Sequence, residues 1–263
     1  MASEVQGILA VFVCGCFATL NLMLSKLLQG WQWPYFFFAG LCSLVIVLCL
    51  NAVMVARQGI AAYHCERKEI KWVLLRGLFG SSNNVLSVCA ALAGAPMGSI
   101  GVLSSVNTVV AALLGRVVLG EPLGKLHILA VLFSVAGAVL ISDPKATVSE
   151  GTASGASAYL GYVLALLSGV SLGFIFISSR KSKSASPMLL TTSSMTFRCV
   201  TCCTLACIPA ANSGGLQVLA DSPGFAVLLL LVLLVAMLVS NLTVSDRSSA
   251  LLPSAQLRSL QPT

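Results

Sequence analysis

The chain has 263 residues, 57% of them hydrophobic and only 9% charged, and its mean hydropathy of +0.97 excludes an ordinary water-soluble domain. The net charge of +7 would suit a nucleic-acid binder, but no basic face interleaved with aromatic side chains accompanies it, so nucleic acid is excluded as a partner.

A helix crossing about 30 Å of hydrocarbon needs about 20 mainly apolar residues. Eight such stretches follow one another: Gln6 to Ser25, Pro34 to Met54, Trp72 to Gly94, Gly98 to Leu119, His127 to Ser142, Tyr159 to Ser178, Met188 to Ile208 and Gly224 to Val244. The runs are long and continuous, and lipid leaves each backbone group to be paired within its own segment, which favours helices over a barrel. The first stretch lacks a basic leader and a small-residue cleavage site, so it reads as a retained signal anchor. The predicted class is an all-α, multi-pass integral membrane protein in contact with lipids.

With the N-terminus in the cytoplasm, twelve of the fifteen Lys and Arg residues fall at cytoplasmic ends or loops, from Arg57, Arg67, Lys68 and Lys71 through Arg180 and Lys181 to Arg247 and Arg258. Only Lys26 and Lys145 fall outside, and Arg198 falls within a span. One missed span would invert every later loop, so this asymmetry supports the eight-span map and places both termini in the cytoplasm. Most of the ten cysteines lie inside spans, where Cys serves as a small apolar filler. Cys199 and Cys202 form a CxxC, but no second pair or nearby His completes a zinc site, and no metal is expected.

The stretch Asp143 to Ala158 is rich in Ser, Gly, Ala and Thr and reads as a linker between two halves. A shift of 154 residues matches Gly7 to Gly161, Gly15 to Gly169, Ser25 to Ser179 and Lys26 to Arg180. In both halves a basic residue ends the helix and the chain re-enters the membrane near a proline, Pro34 or Pro187. Five spans per half would invert the second repeat and create alternating access around a midplane site. Domains are therefore expected at 1–142 (five spans), 143–158 (linker), 159–244 (three spans of a partial second repeat) and 245–263 (polar tail).

The segment VVLGEPLGKLHILAVLFSVAGAVLIS, Val117 to Ser142, has a helix, a Gly120-Glu121-Pro122 turn and a Gly-containing closing helix. Upstream, RGLFGSSNNVLSVCAALAGAPMGSIGVLSSV, Arg76 to Val106, pairs two helices through a tight small-residue turn. Together they resemble an EamA-type repeat of the drug/metabolite transporter superfamily. The resemblance implies a ten-helix inverted-repeat (5+5) carrier, here incomplete, that moves a small metabolite. It selects no substrate within that class.

Three spans carry small polar faces at helical spacing: Cys14, Ala18, Asn21 and Ser25; Gly77, Gly80, Asn84, Ser87 and Ala91; and Gly101, Ser104, Thr108, Ala111 and Gly115. Ala165, Gly169 and Gly173 form a further small-residue stripe. Such stripes let membrane helices approach closely, whereas Asn21, Asn84, Ser104 and Thr108 also offer groups that could bind a solute. Asn83 and Asn107 point about 100° away and are weaker candidates.

Arg198 stands in mid-span on the face of Thr191, Ser194 and Thr201. Arg at a helix centre costs about 2.5–3.5 kcal/mol on insertion scales, so such charges face cavities and mark pathways, or else tie to backbone carbonyls or snorkel to the interface. No acidic residue falls within a span, so an anionic solute group is the expected partner of Arg198. The candidate binding residues are Arg198, Asn84, Asn21, Thr108, Ser104 and Thr191. The missing carboxylate also disfavours a proton relay and favours a facilitator or exchanger.

A membrane enzyme is the rival of another class, but HExxH, GxSxG and Walker A patterns are lacking and only His64 and His127 are present. No catalytic residue and no cofactor are expected. The remaining alternative is a truncated or non-transporting membrane protein that needs a partner chain. Expected partners are a small-molecule substrate and lipids, with a homo-oligomer left open.

Overall fold

A computed structural model describes residues 2–31, 33–59, 63, 65–120, 129, 133, 136–137, 155–182, 185–208, 224 and 227–238. Among these the regular structure is helical and no strand occurs. Helix α1 runs over Ala2–Gly30, α2 over Tyr35–Gln58, α3 over Ile70–Leu92, α4 over Met97–Ser104 and α5 over Asn107–Leu114, followed by a π-helical turn at Gly115–Leu119. Then come α6, Gly155–Lys181, α7, Pro187–Ala206, and α8, Val227–Leu238.

Local chemistry sets several of these ends. Pro34 precedes α2, and Gly59, at φ 66°, closes it. Ser186 caps α7, its hydroxyl accepting from the Leu189 N–H at 3.2 Å, with Pro187 in the first turn where its missing N–H costs nothing. Gly94, at φ 94°, makes the tight turn between α3 and α4 that the small residues there suggested.

The expected fourth span is broken rather than continuous. At Ser105 and Val106 the ladder tightens to i→i−3 bonds, with Ser105 N on Val102 O, Val106 N on Leu103 O and Thr108 N on Ser105 O. The Ser104 and Ser105 hydroxyls donate to the Gly101 and Val102 carbonyls, competing with the helical pattern. The stretch Met97–Val118 nonetheless keeps the length and apolarity of a membrane span, as do Tyr35–Arg57 and Tyr159–Lys181. The expected fifth span, His127 to Ser142, lies mostly outside the described residues, as do most of the linker 143–158, Asn241 to Val244 and the tail 245–263.

Helix α3 is central: it packs on α6 and α7, while α7 also packs on α2, and α6 on α4 and α5. Contacts near both ends of the pairs give the directions. Arg76 meets Ser179 while Gly161 lies against Ala90 and Ala95, so α3 and α6 are antiparallel. Val73 meets Ser193 and Ser81 meets Thr201, so α3 and α7 are parallel. Gly161, Gly169 and Gly173 meet Ala95, Ser104 and Val110 in turn, so α6 runs parallel to the broken α4–α5 unit.

The small residues are what allow this closeness. A Cβ on Gly169 would stand 2.8 Å from the Ser104 carbonyl oxygen, and one on Gly173 would stand 2.6 Å from Val110 Cγ1. Phe79 and Phe174 stack beside them, ring centroids 4.5 Å apart. Leu28, Phe38, Ile46, Leu50, Leu233 and Met237 belong to one buried core joining α1, α2 and α8. On the opposite side of α2, Leu41, Leu44 and Leu48 are exposed. A broad apolar exterior of this kind belongs against lipid.

Candidate binding cavity

A cavity of about 450 Å³ opens between α1, α3, α4, α7 and α8. Asn21 of α1, Asn83, Asn84 and Ser87 of α3, Ser104 of α4 and Arg198 of α7 supply most of its polar wall. Arg198 is 5% exposed. Its Nη1 donates to Asn84 Oδ1 at 3.2 Å, while its Nε is buried without a partner. The Asn84 amide nitrogen donates in turn to the Gly80 carbonyl at 3.1 Å.

Tyr35, at the start of α2, ties the first helix to this cation. Its hydroxyl donates to Asn21 Oδ1 at 3.1 Å, and it stands near the Arg198 guanidinium. The phenolic oxygen can thus face the cation while its hydrogen goes to the amide, which leaves Asn21 with N–H groups to offer elsewhere. Sequence patterning did not single out Tyr35, because the run Tyr35-Phe36-Phe37-Phe38 reads as aromatic core.

Below the cavity α3 and α7 are sewn together by small groups. Ser81 donates to Thr201 Oγ1 at 2.9 Å, Ser193 to the Val73 carbonyl at 3.3 Å and Ser194 to the Arg76 carbonyl at 3.4 Å. A Cβ on Gly77 would lie 2.5 Å from the Phe197 ring, and one on Gly80 would lie 2.7 Å from Ser194 Oγ. These two glycines are close-contact residues. Gly101, by contrast, has nothing within 4 Å of its built Cβ and lines the cavity, where the absence of a side chain keeps space open.

Of the six residues expected to bind a solute, four meet here: Arg198, Asn84, Asn21 and Ser104. Thr108 does not line the cavity; it is exposed beyond the break in the fourth span, and its hydroxyl is directed to Asn107 Oδ1 at 3.0 Å. Thr191 is buried but is also absent from the wall, its hydroxyl donating to the Pro187 carbonyl at 3.0 Å. Asn83, set aside in the sequence for its angle to Asn84, lines the cavity as well, because an arc of α3 faces it. Phe17, Met97 and Met237 add apolar wall that hydrophobic patterning alone cannot separate from core. Among the described residues no group of three or more His, Cys, Asp or Glu side chains could hold a metal ion.

The fold and this polar chamber define a multi-pass helical membrane protein. A family model described as the EamA-like transporter family matches residues 5–143, just over half of the chain. The chain belongs to that family, and so to the drug/metabolite type of membrane transporter. No curated protein and no solved structure matches it.

Proposed function

We propose that the chain is a carrier that moves a small polar or anionic metabolite by alternating access, as a facilitator or exchanger, with the chamber between α1, α3, α4 and α7 as its binding site. The observation that carries this reading is Arg198, a buried guanidinium on the cavity wall whose hydrogen-bond partner is a neutral amide. Such a charge is costly in a membrane unless something in its pathway meets it. Asn21, Asn84 and Ser104 supply hydrogen bonds around it, and Thr108 and Thr191 contribute only if the transport cycle brings them nearer.

In this reading residues 1–142 form a five-span repeat and residues 159–244 a partial, inverted second one, with both termini in the cytoplasm. The relative directions of α3, α6 and α7 fit that alternation. Uptake of labelled anionic metabolites into vesicles holding the purified chain is the direct test. Wild type should accumulate at least one anion that Arg198→Gln does not, and equal uptake by the two would remove the reading.

The second reading is a truncated or non-transporting membrane protein that needs a partner chain. Vesicles reconstituted with this chain alone separate the two, since only the first reading expects uptake without a partner.

A further inference from the structure

We infer that the solute is a monoanion, a single carboxylate on a largely apolar body, an inference that rests on the carrier reading above and narrows it. Among the described residues lining the cavity Arg198 alone is formally charged; neither a carboxylate nor a second cation joins it there. The described wall thus carries one formal positive charge. In a low-dielectric chamber one negative charge on the solute is balanced and a second is not. A phosphate monoester carries about −1.5 to −2 near neutral pH and would leave much of its charge unmet.

The nearest alternative cation on this face of α3, Arg76, stands eight residues before Asn84, about 12 Å along the helix axis, and does not line the cavity. The hydrogen-bonding groups favour an acceptor. Asn84 Oδ1 is taken by Arg198 and Asn21 Oδ1 by Tyr35, so Asn21 retains N–H groups for a ligand. The unpaired Nε of Arg198 marks a guanidinium whose donors are not all satisfied, and a carboxylate is the planar two-oxygen group that its fork recognises. Leu22, Val88, Met97, Ile100, Ala236 and Met237 line much of the rest. They suit a branched or aromatic body and offer nothing to a second charged end.

The test uses the full chain in vesicles, with labelled 4-methyl-2-oxopentanoate as the probe and 2-oxoglutarate and glycerol 3-phosphate as competitors. The monoanion should be taken up, and unlabelled monoanion should compete at least tenfold better than either competitor. It should also raise the melting temperature of the detergent-purified wild type and not that of Arg198→Gln. A second variant, Ser87→Lys, adds a cation to the wall and should turn preference towards 2-oxoglutarate. Stronger competition by 2-oxoglutarate or glycerol 3-phosphate in the wild type, still dependent on Arg198, would overturn the monoanion inference and leave the carrier reading standing. Neither uptake nor stabilisation by the monoanion would also overturn it, and the wider anion panel would then decide the carrier reading separately.

Discussion

Two arginines, Arg76 of α3 and Arg198 of α7, border the seam between these helices, and their surroundings are alike in most respects. Arg76 gives its Nη1 to the Ser179 hydroxyl of α6, Arg198 gives its Nη1 to the Asn84 amide, and both leave Nε buried without a partner. They differ in what lies in front of them. Arg198 opens onto a chamber walled by Asn21, Asn84 and Ser104, whereas Arg76 does not line it and ties α3 to α6 near their ends. In the proposed reading, the space beside Arg198 and the amides around that space are what separate it from Arg76.

Removing the charge tests this contrast most severely. Truncating one partner of a buried charge interaction costs about 2–5 kcal/mol, so Arg198→Gln should lower anion uptake by about 100-fold. Arg76→Gln should leave vesicle uptake within about twofold, since the hydrogen bond to a charged group lost there, about 1.5–3 kcal/mol, affects helix packing. Equal losses in the two variants would erase the distinction. Next comes Asn84→Ala, which takes the acceptor from the Arg198 Nη1. A hydrogen bond to a charged group is worth about 1.5–3 kcal/mol, and uptake should fall about tenfold or more, measured as kcat/KM.

Tyr35→Phe keeps the ring in the core and deletes the hydroxyl that orients Asn21. Loss of a neutral hydrogen bond of about 0.5–1.5 kcal/mol should raise KM about three- to tenfold with kcat little changed. A drop in kcat alone would assign Tyr35 to the motion of the helices instead of to binding. The smallest effect is expected from Ser81→Ala, midway along the seam. It removes the bond to Thr201 and should cost about 1 kcal/mol of stability, read as a lower melting temperature in detergent, with uptake unaltered.

Much of this arrangement is legible in residue spacing. The apolar runs placed α2, α3, α6 and α7 to within a few residues, because membrane solvation leaves a long oily stretch few other options. Helical periodicity grouped Asn84 with Gly80 and Gly77, and a charge in mid-span singled out Arg198. The break at Ser105 and Val106 was hidden, since it arises from serine hydroxyls competing for backbone carbonyls within a run whose hydropathy is that of an intact span. Thr108 was assigned to the face of Ser104 on the assumption of a continuous helix, and the break removes that basis. Thr191 shares a face with Arg198 but lies seven residues, about 10 Å, before it; a common face fixes direction and says nothing about depth. Tyr35 and the methionines of the wall were illegible for another reason, as an apolar or aromatic residue looks the same whether it borders a core or a chamber.

Gly80 carries one further implication. It lies one turn before Asn84, and Ser194 lies one turn before Arg198, so the clearance of a Cβ 2.7 Å from Ser194 Oγ governs how near the amide and the guanidinium can come. Alanine at this position would crowd the Ser194 side chain, whose hydroxyl must turn and whose Cβ must give by a few tenths of an ångström. In the carrier reading proposed above, cargo selection would thus be detuned from a point that does not line the chamber.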